Sequence, residues 1–188
     1  DKIDITKLNE FRKEYNSSKE KNLPKMSFLP FFMRALIPVL KEYPDFNSSL
    51  DHTGNNLIRK KYFHIGVAVD TQNGLIVPVI KNVDKKNVTE IMNELIDISY
   101  RARNKKIIPS ELTGSCFTIS SLGGISGTGF TPIVNPPEVA ILGISRIQTE
   151  PVYIDNEFKP RTMLPISLSY DHRVIDGAIA SRFTKMYS

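Results

Sequence analysis

The sequence predicts an α/β fold, a two-layer sandwich with a mixed β-sheet. Three observations carry this reading. Apolar runs rich in β-branched residues, at 57–70, 75–83, 115–121, 139–147 and 164–170, read as strands. Stripes of apolar residues at helical spacing mark 6–17, 27–42 and 88–104 as helices. The strands are mixed with the helices along one chain, with neither a repeat nor a second domain, which implies helices layered on a mixed sheet. A chain of 188 residues suits one such domain, able to bury roughly 70% of its unfolded surface.

Taken in order, Leu8, Phe11 and Tyr15 give the first helix its apolar stripe, and Thr6 is a candidate cap. Arg12 sits at the edge of that stripe, where spacing alone reads it as a snorkelling surface residue. Ser17 to Lys25 is a polar linker. Ser27 is placed to cap the second helix, with Pro30 in its first turn. Pro38 lacks a backbone donor, so it is expected to bend or end that helix early, and Pro44 to stop it. Asn47-Ser48-Ser49 reads as a loop.

Two strands follow, joined by the turn Thr71 to Gly74, with Pro78 marking an edge or bulge in the second. Asp70, at the end of the first, reads on spacing alone as a turn-forming aspartate. Asn87 and Glu90 form a capping box for the helix carrying Ile91, Leu95, Ile98 and Ala102. The strand 115–121 runs into a glycine-rich loop, Leu122 to Gly129, which is neither a dinucleotide fingerprint nor a P-loop. Ser120, within that strand, is a candidate nucleophile by residue type, yet it lies outside any G-x-S-x-G elbow. Asn135-Pro136-Pro137 is a rigid turn, 139–147 a strand, and 152–158 a hairpin about Asp155-Asn156.

Composition narrows the function classes. There is no run of ~20 apolar residues, so no membrane span is expected; Phe28 to Leu40 is interrupted by Arg34 and two prolines. Asp1-Lys2 opens directly into a helix-like pattern, so no signal peptide is read. The chain lacks an initiator Met and stops inside an apparent helix at Ser188, so it is expected to be part of a longer one. A single cysteine, Cys116, excludes an internal disulfide and fits a reducing, cytoplasmic compartment. The net charge of +5 suits a polyanionic small molecule. Nucleic acid is disfavoured, because no Trp is present and the basic runs are not interleaved with aromatics.

Chemistry concentrates in Asp171-His172-Arg173-Val174-Ile175-Asp176, which places one imidazole, two carboxylates and a guanidinium within six residues. His52, His64 and His172 are too scattered for a metal site, and the first two read as structural. Histidine can take and return a proton near neutral pH. With Asp176 or Asp171 to orient it, or with those carboxylates paired to Arg173 instead, His172 is a candidate general base. One base plus one hydroxyl suffices for acyl transfer to a thiol: the base deprotonates the thiol, the thiolate attacks a thioester, and the hydroxyl steadies the oxyanion. From the residues alone, a structural ion-pair cluster is an equal reading.

Asp171 to Gly177 matches the D-H-R-x-x-D-G signature of dihydrolipoamide acyltransferases, the core subunits of 2-oxo acid dehydrogenase complexes. Further blocks resemble the same catalytic domain, among them Phe46 to Leu50, Ile65 to Asp70, Gly74 to Val79, Phe117 to Ser121 and Pro132 to Gly143. They follow the family's order across nearly all of residues 1–188. Ser120 to Gly124 together with Pro132 to Gly143 is most similar to the pyruvate dehydrogenase branch of bacterial type.

The resemblance implies a chloramphenicol acetyltransferase-like fold assembled as trimers, with a channel between subunits that admits coenzyme A from one end and dihydrolipoamide from the other. It implies His172 as base, Asp176 as its motif partner, and Ser120 of a neighbouring subunit as oxyanion donor. It also places coenzyme A contacts on Arg12, Ser27, Asp70 and Ser121, against the spacing-based reading of Arg12 and Asp70. No metal is implied. The expected activity moves an acetyl group between dihydrolipoyl-lysine and coenzyme A. The alternatives are the same chemistry on succinyl or branched-chain groups, or a catalytically silent assembly scaffold. The lipoyl and subunit-binding domains would precede Asp1. Through them the chain would engage the pyruvate dehydrogenase and dihydrolipoamide dehydrogenase subunits, around a homotrimer-based core of about 24 subunits.

Overall fold

The computed structural model describes residues 1–20, 23–125 and 127–188. Lys21 and Asn22 of the expected linker, and Ser126 of the glycine-rich loop, lie outside the described residues. The strands are β1 (Lys2–Asp4), β2 (Ser48–Leu50), β3 (Leu57–Arg59), β4 (Ile65–Val67), β5 (Val69–Thr71), β6 (Gly74–Ile76), β7 (Val79–Ile80), β8 (Phe117–Ser121), β9 (Ala140–Ile144), β10 (Gln148–Ile154) and β11 (Glu157–Tyr170). The helices are α1 (Thr6–Ser18), α2 (Leu29–Glu42), α3 (Val88–Arg103) and α4 (Gly177–Tyr187).

Seven strands form one mixed sheet in the order β1-β11-β9-β8-β4-β7, with β10 on the outer part of β11. The neighbours β4, β8 and β9 run parallel, and the remaining pairs are antiparallel. The pleat sends alternate residues to opposite faces. Phe117, Ile119, Leu142, Ile144, Leu164 and Ile166 therefore enter one core with α2, α3 and α4. Thr118 and Ser120 fall on the other face. The α/β sandwich with a mixed sheet is the fold found.

Helix α2 is central and contacts both α3 and α4. It runs through Pro38 to Glu42, so the expected early break does not occur. Seven of its residues are buried, including Met33, Leu36 and Leu40. Each such side chain contributes about 1.5–3 kcal/mol, which offsets the one donor that Pro38 removes. Ser27 is not its cap: Phe28 occupies that position without a side-chain hydrogen bond. Thr6 likewise sits inside α1, its hydroxyl accepting from Thr162 N at 2.9 Å. The capping box of Asn87 and Glu90 is present.

Several expected boundaries change. The first residues form β1 on β11, so the chain does not open into a helix. Asn47 ends a short 3-10 turn, and Ser48 and Ser49 belong to β2, paired with β3, where a loop was expected. The expected strand 57–70 divides into β3, β4 and β5, each in a different sheet. The strand 75–83 divides at Pro78 into β6 and β7, because proline cannot donate to a ladder. The expected hairpin and final strand share one 14-residue strand, β11.

Candidate active site

The Asp171–Asp176 segment links β11 to α4, and both ends are anchored. Phe183 of α4 stacks on Phe46 with ring centroids 4.0 Å apart and faces Phe117 at 6.0 Å. Tyr187 is buried and donates its hydroxyl to Phe32 O at 3.0 Å. Ile175 is buried in the same core as these anchors. The turn is further held by Asp171 N, which donates to Val139 O at 2.8 Å.

Within the turn each carboxylate has a defined partner. Asp171 receives a forked pair from Arg173, Nε to Oδ1 at 2.9 Å and Nη2 to Oδ2 at 2.5 Å. That guanidinium holds the Asp171 carboxyl below its ordinary value. Asp176 Oδ1 accepts from Ile179 N at 2.8 Å and caps α4. Asp171 and Asp176 are thus engaged with Arg173 and the helix, and His172 is exposed between them. Its ring lies 5.9 Å from that of Tyr170. Asp171 and Arg173 also line a cavity of about 490 Å³ with His52, Thr53 and Glu138. His64 has a different environment: Nδ1 accepts from Asn82 N at 3.0 Å, and burial pushes its pKa down.

Ser120 lies elsewhere. It is paired in register with Gly143, which is paired with Ser167. His172 comes five residues after Ser167. At ~3.3 Å per residue and ~4.8 Å per strand, the two are separated by roughly 15 Å along the sheet and roughly 10 Å across it. Serine and histidine side chains cannot close that gap within one chain.

At the Ser120 end, Ser27 and Ser121 come together. Both line a cavity of about 300 Å³ with Phe28, Phe32, Gly123 and Gly124. Ser27 and Leu29 also border a second cleft, of about 420 Å³, whose rim carries Lys25, Ser99, Tyr100 and Arg103. Arg12 approaches through Phe28, its guanidinium 4.4 Å from the ring centroid, with Nη2 donating to Asn9 Oδ1 at 3.2 Å. Its Nε is buried and has no partner among the described residues. Asp70 is exposed on β5, which packs on α3, and lines neither cleft. Sequence reasoning missed Lys25, Ser99, Tyr100 and Arg103. The i, i+4 spacing of Ser99 and Arg103 was the available signal, but it reads equally as a solvated face. Among the described residues, no three His, Cys, Asp or Glu side chains gather where a metal ion would fit, and no helix is long and apolar enough to cross a membrane.

Comparison with known proteins places this arrangement. The family model for the 2-oxoacid dehydrogenases acyltransferase (catalytic domain) matches residues 1–188. The chain is 56% identical over 185 residues to the dihydrolipoyllysine-residue acetyltransferase component of pyruvate dehydrogenase complex from Pseudomonas aeruginosa, covering 98% of this chain and 34% of that protein. With the corresponding component from Azotobacter vinelandii it shares 56% over 182 residues, covering 97% and 28%. The chain thus spans about a third of the length of the curated relatives it matches.

Among solved structures, Azotobacter vinelandii dihydrolipoamide acetyltransferase superposes with a TM-score of 0.95 at 53% identity, over 100% of this chain and 77% of that one. That work concerned the role of a serine, a histidine and an asparagine in its catalytic mechanism. The cubic core of the pyruvate dehydrogenase multienzyme complex matches equally, with a TM-score of 0.95, 53% identity and the same coverage. A chloramphenicol acetyltransferase shares the fold, with a TM-score of 0.62 at 15% identity over 100% of this chain and 84% of that one. The chain belongs to the family of 2-oxoacid dehydrogenase acyltransferase catalytic domains.

Proposed function

We propose that this chain is the catalytic domain of a dihydrolipoyllysine-residue acetyltransferase, moving an acetyl group between dihydrolipoyl-lysine and coenzyme A. The observation that carries the proposal is a spacing. In the Azotobacter vinelandii enzyme the serine precedes the histidine by 52 positions and the asparagine follows it by four. Ser120, His172 and Asp176 repeat both intervals, with aspartate where that enzyme has asparagine.

In this reading His172 takes the proton from the coenzyme A thiol. The thiolate adds to the carbonyl carbon of the acetyl thioester on the lipoyl arm. Negative charge collects on the carbonyl oxygen, where the Ser120 hydroxyl donates a hydrogen bond. Collapse breaks the bond to the lipoyl sulfur, which leaves as a thiolate and takes the proton back from His172. Asp176 holds the start of α4 and so fixes the turn from below.

Because one chain keeps Ser120 and His172 apart, the reading assigns Ser120 of one subunit to His172 of its neighbour, in a homotrimer that builds a larger core of about 24 subunits. Coenzyme A would enter from the Ser121 end. Ser27 and Ser121 line its narrow part, Arg12 and Phe28 flank it, and Lys25 and Arg103 offer cations to its phosphates. Asp70 would contact it from the adjoining hairpin. The lipoyl group, carried on a separate domain of the longer protein, would enter beside His172. Partner enzymes would be the pyruvate dehydrogenase and dihydrolipoamide dehydrogenase subunits, in the cytoplasm.

The test is an assay of assembled protein with dihydrolipoamide and acetyl-, succinyl- or isobutyryl-coenzyme A. Preferred turnover of the acetyl donor is expected. Turnover of none would leave only the scaffold reading, and preference for another donor would reassign the acyl group.

A further inference from the structure

One buried ionisable group stands beside the strand β9 that suspends the His172 turn. Glu138, just before β9, is 4% exposed. Its Oε1 accepts from Ser115 Oγ and from Asn135 Nδ2, the latter at 3.2 Å. Its backbone N donates to Asn135 O at 3.0 Å. Ser115 leads into β8, and its carbonyl accepts from Lys60 Nζ at 3.0 Å. The Thr118 hydroxyl is close enough to the carboxyl to favour its ionised form, yet neither that hydroxyl nor Oε2 completes a hydrogen bond among the described residues.

Glu138 thus ties together the lead-ins of two neighbouring parallel strands, β8 and β9. Through Ser115 it reaches the start of the strand that carries Ser120. Its next residue, Val139, supplies the carbonyl from which Asp171 N, and with it the His172 turn, is suspended. A buried carboxyl is costly in a packed interior, and an apolar residue of similar volume is often no less stable. What the carboxyl provides that an apolar side chain does not is a fixed, directional register between the two segments.

We propose that Glu138 is a positioning residue for His172: by accepting from Ser115 and Asn135 it locks the 135–139 segment to the lead-in of β8, and the Val139 carbonyl transmits that register to the catalytic turn. Glu138 touches no reacting atom. The inference rests on the acetyltransfer reading, because it is measured through that reaction. A displacement of about 1 Å at the imidazole would cost on the order of 10²-fold in turnover.

The experiment compares Glu138→Ala and Glu138→Gln with the parent in the assembled protein, using steady-state acetyl transfer from acetyl-coenzyme A to dihydrolipoamide. Glu138→Ala is expected to lower kcat about 10²-fold, with the KM for acetyl-coenzyme A within about twofold. Glu138→Gln, which keeps an acceptor oxygen at the same place, is expected to recover kcat to within about tenfold of the parent. An alanine variant with the parent's kcat overturns the proposal, as does a loss confined to KM, or a glutamine variant no better than alanine. If the alanine variant does not assemble, Ser115→Ala removes one donor and leaves the carboxyl; it is expected to lower kcat about tenfold, and an unchanged kcat overturns the proposal. An inactive parent would instead refute the acetyltransfer reading, so the two failures are distinguishable.

Discussion

Ser120 and His172 occupy opposite ends of one sheet, joined by the register Ser120–Gly143–Ser167 and then by five residues of chain leading away from it. Neither side chain can reach the other in a single subunit. A site that uses both must draw them from two copies, and each copy then contributes to two different sites.

The first consequence concerns the two residues separately. Ser120→Ala is expected to lower kcat by about 10²–10³ with little change in KM, since its hydroxyl acts on charge that exists only in the transition state. His172→Ala should lose turnover by a larger factor, because the thiol then has no base. Steady-state kinetics of the two variants would check both; full activity of the histidine variant would contradict the mechanism.

The legible parts of this molecule are those whose determinants are local. The capping box at Asn87 and the stripe Ile91, Leu95, Ile98 are near neighbours in sequence, and α3 is found where they put it. The motif Asp171 to Gly177 is also local, and it sits at the β11–α4 junction that its flanking residues imply. Pro38 misled because burial of the surrounding α2 side chains outweighs one missing donor. The run 57–70 misled because its β-branched residues look uniform, whereas their partners lie in three different sheets. Spacing alone places Arg12 at the surface because nothing at helical spacing reveals Phe28, a residue of the next segment, beneath its guanidinium. The burial of Glu138 had no sequence signal, because its donors Ser115 and Asn135 meet it only through tertiary packing and the turn.

Arg12 should act on binding rather than on chemistry. Its guanidinium is fixed over Phe28, which lines the cavity of Ser27 and Ser121, and its Nε is buried. Arg12→Ala is expected to raise the KM for coenzyme A about tenfold with kcat nearly unchanged. Arg12→Lys should rescue only part of this, because an ammonium does not reproduce the planar fork or its stacking. Initial-rate measurements at varied coenzyme A separate the two parameters.

Glu138 should also leave a mark on stability against pH. Burial raises its pKa above the ordinary 4.5, so between 4.5 and the folded value the native state holds a proton that the unfolded chain releases. Its contribution is fully present below about pH 4.5 and is lost as pH rises through the folded value. Glu138→Gln removes that dependence. Its melting temperature is expected to gain on the parent's as pH rises above about 4.5. A constant difference across that range would contradict the raised pKa.

Gly143 links the strands of Ser120 and Ser167, and an added Cβ would lie 2.9 Å from Phe130 Cζ and 3.1 Å from Pro132 Cγ. Gly143→Ala is expected to cost about 1–3 kcal/mol, since two ring side chains must shift. Gly124, with open space around its Cβ position, is the control, and Gly124→Ala should stay within about 0.5 kcal/mol. Chemical denaturation of the two variants checks the contrast.

The divided site is tested most directly by mixing the two inactive variants. Ser120→Ala supplies an intact His172, and His172→Ala supplies an intact Ser120. Unfolded together in equal amounts and reassembled, they should regain about a quarter of the parent's activity, the fraction of subunit contacts that pair an intact serine with an intact histidine. Each variant reassembled alone should remain at its own residual rate. Mixed assemblies of normal size that show no more than the average of the two residual rates would contradict a site shared between subunits.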